Sequence, residues 1–271
     1  MSVTKERPVM SEILHKEMMD LLAHDKRIDG RSLNEFRKVE FEVGLLKKAE
    51  GSALVSLGGT KVLAGTKVEL GSPFPDTPDQ GVLTVNAELL PLASPSFEPG
   101  PPDETSIALA RYVDRSVRES KSIDLSALAL QPGKLVYVVY IDVYVLDYNG
   151  NMTDTAVLAA VKALENTTLK KFNLEGEAPV FSGEFTPLAL KDFPVSTTFG
   201  IIGEKCFLDP NLEEEQASEG FTSFTYTRDG NLCAVMKNGQ GYLSPSQVFE
   251  MLETGWEKAK EMSRIMNWRT D

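Results

Sequence analysis

The stretch Leu135-Val-Tyr-Val-Val-Tyr-Ile-Asp-Val-Tyr-Val-Leu146 is the longest strand signal in the chain. β-Branched and aromatic side chains fit a pleated sheet, and a run this rich in them belongs at a sheet's centre. Asn149-Gly150-Asn151 then turns the chain. An alanine-rich helix is expected next, from Asp154 to Asn166, with Thr153 as its N-cap and a composition suited to close packing on a sheet. A strand, a glycine turn and a helix N-terminus together make a generic anion-binding corner. This turn has no Arg or Lys and no Gly-rich phosphate loop, so phosphate binding there is weakly supported.

Upstream of the central strand, Lys38 to Val43 alternates polar and apolar residues, as a half-buried strand does. Ala53–Leu57 and Lys61–Leu70 read as a hairpin joined through Gly58-Gly59-Thr60. Val82 to Leu90 is a further strand, between the proline-rich loops 72–80 and 91–103. Nearer the N-terminus, Pro8 to His24 predicts an amphipathic helix with Met10, Ile13, Leu14, Met18, Leu21 and Leu22 on one stripe. The polar segment Asp25–Arg31 follows, and Arg27 and Arg31 read as parts of a solvated turn.

Downstream, 170–192 is polar and punctuated by proline, as a connector between lobes would be. The second half repeats the layout of the first. Val195–Ile202 and Lys205–Leu208 predict strands, and Phe221–Lys237 a hairpin turning at Asp229-Gly230. Ser244 and Pro245 mark a helix start, with Ser at the cap and Pro at the first position, and that helix should run to about Trp268. With no regular βαβ alternation, the class is α+β: two strand-then-helix lobes with helices packed on mixed or antiparallel sheets. The expected division is an N-terminal helix and loop (1–30), a first domain (31–170), the connector (171–192) and a second domain (193–271).

Composition excludes several functions. A 271-residue chain can bury a substantial core. The formal net charge of −12 is the reverse of a free-standing nucleic-acid binder's, so any RNA contact needs a local basic patch. The cysteines, Cys206 and Cys233, form no CxxC pair, and His15 and His24 are far from them, which argues against zinc. Two reduced core thiols are the favoured reading. No metal or cofactor is expected. The N-terminus is polar and no apolar run reaches the roughly 20 residues a membrane helix needs, so a cytoplasmic location is expected.

Two stretches bear on chemistry. Asp209 to Phe221 carries Asp209, Glu213, Glu214, Glu215 and Glu219, a loop able to hold a metal or supply an acid, or simply a solvated surface. Glu104 to Glu119 predicts a helix with Leu109, Tyr112, Val113 and Val117 on one face and Arg111, Arg115 and Arg118 on the opposite arc. Three guanidinium groups on one side can hold phosphates by forked hydrogen bonds. Asp114 and Glu119 allow the plainer reading of a solvated face.

Four motifs, spread over much of the chain, carry a resemblance. Arg27-Ile-Asp-Gly-Arg31, Gly51-Ser-Ala-Leu-Val-Ser-Leu-Gly-Gly-Thr-Lys-Val-Leu-Ala64, Arg111-Tyr-Val-Asp-Arg-Ser-Val-Arg118 and Ile141-Asp-Val-Tyr-Val-Leu-Asp-Tyr-Asn-Gly150 resemble the RNase PH family of phosphorolytic 3′-exoribonucleases. The N-terminal helix and the departures below make the chain most similar to the family's non-catalytic subunits of the archaeal exosome. The resemblance implies the RNase PH fold and a hexameric ring, a trimer of heterodimers in which catalytic and non-catalytic subunits alternate. It also implies RNA-binding cap subunits on one face and single-stranded RNA in a central channel, where phosphate attacks the 3′-terminal linkage.

Active members carry Gly-Thr-Arg after the central strand to grip phosphate; the matching positions here are Asn151, Met152 and Thr153. They also carry a Glu-Glu-Asp run with a second Asp six residues on; the matching positions are Glu215 and Phe221. The arginine is lost, and Phe221 can neither ligate a metal nor move a proton. No catalytic residue is therefore expected. The resemblance assigns RNA-backbone contact to Arg111 and Arg115, with Arg118 next on the same arc. Two alternatives stand beside this: an active exoribonuclease working through Glu215, and a structural scaffold without RNA contact.

Overall fold

The computed structural model describes residues 9–175 and 178–268, with side chains from 13 onward except at 175 and 178. Pro8 and the side chain of Met10 lie outside the described residues. The chain opens with helix α1 (Val9–Ala23), which places Met18 and Leu22 against Ile202, Phe207 and Ala217 of the second lobe. Ile13, expected on the buried stripe, is exposed instead.

Strands β1 (Val39–Val43), β2 (Gly51–Leu57), β3 (Thr60–Gly71) and β4 (Val82–Leu89) come next. Helix α2 (Glu104–Glu119) follows, capped by Asp103, whose carboxylate accepts from the Ser106 N–H at 2.8 Å. After a short 3-10 turn come β5 (Ala129–Gln131), the central strand β6 (Leu135–Asp147) and helix α3 (Met152–Glu165). The first sheet runs β1-β2-β3-β6-β4, with β5 on the flank of β6. All its pairings are antiparallel except β4 with β6, so the sheet is mixed as expected.

The stretch read as a connector is itself structured. It forms β7 (Thr168–Glu175) and β8 (Ala178–Pro187), a two-stranded hairpin. The second lobe holds β9 (Val195–Ile202), β10 (Lys205–Leu208), a short helix α4 (Leu212–Ala217), β11 (Gly220–Tyr226), β12 (Leu232–Gly239) and α5 (Pro245–Met266). Its antiparallel sheet runs β10-β9-β11-β12. Ser244 and Gln247 close a capping box at the start of α5, with Pro245 at the first position.

Helix α3 lies between the sheets, against β2 and β3 on one side and β9 on the other. Every residue from Asp154 to Glu165 is buried. α5 packs on β9 and β11, so β9, buried along its whole length, has a helix on each face. One continuous apolar core runs from Ala53 to Trp268 through both lobes. Polar clasps cross it: the Tyr112 hydroxyl meets Ser196 at 3.1 Å and Thr225 at 2.9 Å, and Ser116 meets Thr225 at 2.9 Å. The two thiols are free and half-buried rather than fully in the core. Burial pushes Cys206 up to about 11 and Cys233 up to about 12, which leaves both inert as nucleophiles.

Candidate nucleic-acid interface

Two arginine-bearing regions flank the first lobe. On α2 the expected apolar face is buried: Leu109, Tyr112, Val113 and Val117 all pack inward. Arg111 and Arg115 are exposed and line a groove of about 460 Å³ between α2 and β4. Among the described residues, neither guanidinium has an ion pair or hydrogen bond. Arg118 is different. It folds back on Asp114 at 2.7 Å, one turn earlier, and donates to the Leu83 carbonyl at 3.0 Å. The hydrogen bonds it donates to Asp114 hold its pKa above the ordinary value. The three arginines thus share an arc, but only Arg111 and Arg115 present free donors.

The second region is the corner where β6 turns into α3. Asn151, rather than Thr153, caps the helix: its backbone is left-handed, at φ of 46°, and its side-chain oxygen accepts from the Asp154 N–H. Gly150, at φ of 81°, lies so close to the second lobe that a Cβ there would collide with the backbone of Pro210 and Asn211. The Thr60 hydroxyl donates to the Gly150 carbonyl at 2.5 Å and accepts from the Asn149 N–H at 3.0 Å.

The acidic stretch is not a solvated loop. Asn211 caps α4 with Glu214 in a capping box, and this short helix turns Glu214 and Glu215 inward while Glu213 stays exposed. Glu214 is fully buried and takes a forked pair of bonds from Arg27, at 2.8 and 2.5 Å. Arg27 donates further to the Leu208 and Asp209 carbonyls at 2.7 and 2.9 Å. Asp209 is fully buried and receives Arg31 at 3.0 Å, Arg37 at 2.8 and 2.9 Å, and the Asn151 amide at 2.7 Å. Burial alone would raise the Asp209 carboxyl, but the Arg37 hydrogen bonds and charge outweigh it and hold the pKa below the ordinary value. The solvated-turn reading of Arg27 and Arg31 is therefore corrected. They are internal ties between the segment after α1 and the second lobe, because buried carboxylates demand partners.

Glu215 occupies the corner itself. Its carboxylate accepts from the Asn151 N–H at 2.6 Å, at the mouth of α3, and from the Tyr148 hydroxyl. A helix N-terminus attracts an anion, and the anion here is the protein's own side chain. Burial pushes the Glu215 carboxyl up to about 6. Desolvation beside this carboxylate also raises the Tyr148 phenol. No cation at 151–153 competes for an external oxyanion, and Arg37, the nearest guanidinium, is consumed by Asp209 and by the Asn149 and Gly150 carbonyls. Asp154, in the first turn of α3, is held by the Thr198 N–H at 2.8 Å and the Thr198 hydroxyl at 2.7 Å, which binds the corner to β9. Burial raises its pKa, against these hydrogen bonds.

Two lobes of strands followed by helices, joined through such a corner, define a domain pair of the 3′ exoribonuclease type. Residues 35–170 match the 3′ exoribonuclease family, domain 1, and residues 192–258 match its domain 2. The chain belongs to this family. It is 46% identical over 260 residues to the exosome complex component Rrp42 of Thermococcus gammatolerans, covering 95% of each chain. Against the protein of the same description from Methanothermobacter thermautotrophicus it is 43% identical, covering 96% of each. Among solved structures it superposes on a chain of the Archaeoglobus fulgidus exosome with RNA bound to the active site. The TM-score is 0.88 and the identity 42%, over 95% of this chain and 99% of that one. A chain of an archaeal exosome core gives a TM-score of 0.84 at 39% identity, over 96% and 98%.

Proposed function

We propose that this chain is a non-catalytic ring subunit of an archaeal-type exosome. It holds the backbone of single-stranded RNA and completes the site of a catalytic RNase PH-like partner in 3′-to-5′ phosphorolysis. The observation that carries the reading is Glu215 on the Asn151 N–H. Where the resemblance places the attacking phosphate, this chain has seated a carboxylate and offers no free cation. Like charges exclude each other from one helix N-terminus, so phosphate has no seat.

The RNA-facing surface is the exposed Arg111–Arg115 face of α2. Arg111 and Arg115 contact phosphates, and Arg118 supports them from the C-terminal end of the arc. Their role is positional and carries no base information. A local basic face on a subunit of net charge −12 is sufficient because its field is felt within about a Debye length of the groove. The partners are the catalytic subunit, alternating with this chain in a hexamer, and the RNA-binding caps, in a cytoplasmic assembly.

The test uses labelled single-stranded RNA and inorganic phosphate with the chain alone, the partner alone and the two together. Nucleoside diphosphates should appear only when the partner is present. Their release by this chain alone would sink the proposal. In the assembled ring, Arg111→Glu with Arg115→Glu should weaken RNA binding and slow processing. Unchanged binding would leave a scaffold role.

A further inference from the structure

Strand β4 ends the first sheet. Its described partner is β6, in parallel, and its other side is open. Two hydrogen bonds reveal which backbone groups face out. The Gly81 N–H donates to the Leu125 carbonyl at 2.8 Å, and the Leu83 carbonyl accepts from Arg118 at 3.0 Å, both away from β6. Backbone groups alternate sides along a strand, so Val85 and Ala87 also direct their N–H and C=O outward. No described backbone hydrogen bond outside the regular elements uses either residue.

Strand β4 lines a trough whose far half also takes in Asp142, Val143 and Tyr144 of β6. One half is the groove holding Arg111 and Arg115. The other half, which shares Asn86, Ala87, Pro102 and Ser106 with it, is lined by Glu88, Glu98, Asp103 and Asp142 and has a volume of about 210 Å³. The trough is therefore bipolar, cationic toward the C-terminal half of α2 and anionic toward its N-terminal end. An exposed edge of eight residues is normally protected against pairing with other chains. Here α2 packs beside the strand and Arg118 caps the Leu83 carbonyl, while among the described residues no hydrogen bond outside the sheet reaches Val85 or Ala87.

We infer that the β4 edge is a strand-addition site for an extended segment of the partner RNase PH-like subunit. Outward backbone groups at Val85 and Ala87 would pair with that segment, and the Glu88–Glu98–Asp103 end would receive its Lys or Arg side chains. This rests on the functional reading above. The occupant follows from charge and continuity. An RNA strand would be repelled by the carboxylate half of the trough, whereas a protein strand with a basic end satisfies both it and the backbone. The segment would lie beside Arg111 and Arg115, which brings those arginines to the partner's RNA path. Arg118 gains a role in this arrangement, blocking the Leu83 end and so setting where pairing starts.

Hydrogen exchange read by mass spectrometry tests this on the chain alone and on the ring assembled with its catalytic partner. The amides of 82–89 should slow at least tenfold on assembly. Val85→Pro removes only an outward N–H, which an edge strand tolerates, and should weaken partner affinity at least a hundredfold in size-exclusion titrations. An assembled ring in which 82–89 exchanges as fast as in the free chain overturns the inference and leaves the functional reading intact. Assembly of Val85→Pro with wild-type affinity also overturns it. If that variant does not fold, the exchange result on the wild-type ring decides. Protection of 82–89 by self-association of this chain alone, or by RNA alone, assigns the edge to a different occupant and overturns the inference too. Failure to assemble with any RNase PH-like partner would take down both readings.

Discussion

Arg27, Arg31 and Arg37 sit in one region, and Arg111 and Arg115 in another; the residue type is the same and the use is opposite. The first three are bound by Asp209 and Glu214, fully buried carboxylates, and by main-chain carbonyls. The second pair stands exposed on a helix whose other face is core. What separates them is the company of carboxylates, not the guanidinium. A basic group is available to a ligand only where the fold has not already paired it.

That comparison can be broken first by stability. Asp209→Ala would strand Arg31 and Arg37 in a buried setting, and breaking a buried ion network costs about 3–5 kcal/mol. Arg111→Ala and Arg115→Ala should each stay within about 0.5 kcal/mol of wild type, as exposed substitutions do. Urea unfolding of the variants checks this, and similar losses at both regions would erase the distinction.

The pH dependence of stability comes next. Glu215 has its folded carboxyl raised to about 6 from an ordinary 4.5, so the native state binds the extra proton between those values. Its contribution therefore falls as pH rises from 4.5 to 6, by about 2 kcal/mol at 1.36 kcal/mol per unit. Glu215→Gln should remove that part of the slope, seen as the difference between wild-type and variant stability over pH 4.5–7. Asp209 has the opposite sign: its stabilisation is present above pH 3.8 and lost as pH falls through its depressed folded value. A variant curve parallel to wild type from 4.5 to 6 would mean that the Glu215 carboxyl is not desolvated at the corner, since burial raises its pKa while the Asn151 N–H lowers it.

RNA binding sharpens the comparison from the other side. In the assembled ring, Arg111→Ala with Arg115→Ala should cost roughly tenfold in affinity, about 1.4 kcal/mol. It should also flatten the salt dependence by about 0.7 for each phosphate no longer neutralised. A lowered affinity with an unchanged salt slope would argue that the pair acts through shape instead. The smallest effect belongs to Arg118→Ala. Losing the Asp114 pair on a partly exposed helix face should cost about 0.5 kcal/mol and change RNA affinity less than either neighbour. A loss at Arg118 larger than at Arg111 would reverse the order of roles along the arc.

Much of the architecture was legible in local pattern. The central strand, the Gly58-Gly59 hairpin, the buried face of α2 and the Ser244-Pro245 start of α5 follow from periodicity and turn chemistry. The closed corner was not legible. Arg27 meets Glu214 across 187 residues of sequence, and Arg37 meets Asp209 across 172. No local rule announces such a pairing, and Arg37 carried no signal of its own. The hairpin β7–β8 escaped because its prolines read as breaks, although prolines near strand ends are compatible with edges. α4 escaped because four polar residues in a six-residue helix show no apolar stripe; its capping box, Asn211 to Glu214, was the one available sign. On the α2 arc, spacing placed three arginines together, but only the side-chain geometry separated Arg118 from the other two.

Helix α3, enclosed between the two sheets, has a thermodynamic consequence. Neither lobe owns it: its N-terminus is tied to β9 through Asp154 and Thr198, and near its other end Lys162 reaches the Met266 carbonyl at 2.8 Å. Removing one lobe would leave a largely apolar helix facing water. The two halves should therefore melt as one cooperative unit, with a calorimetric enthalpy equal to the van't Hoff value. Two separate transitions would instead make the matched segments, 35–170 and 192–258, units of folding as well as of family.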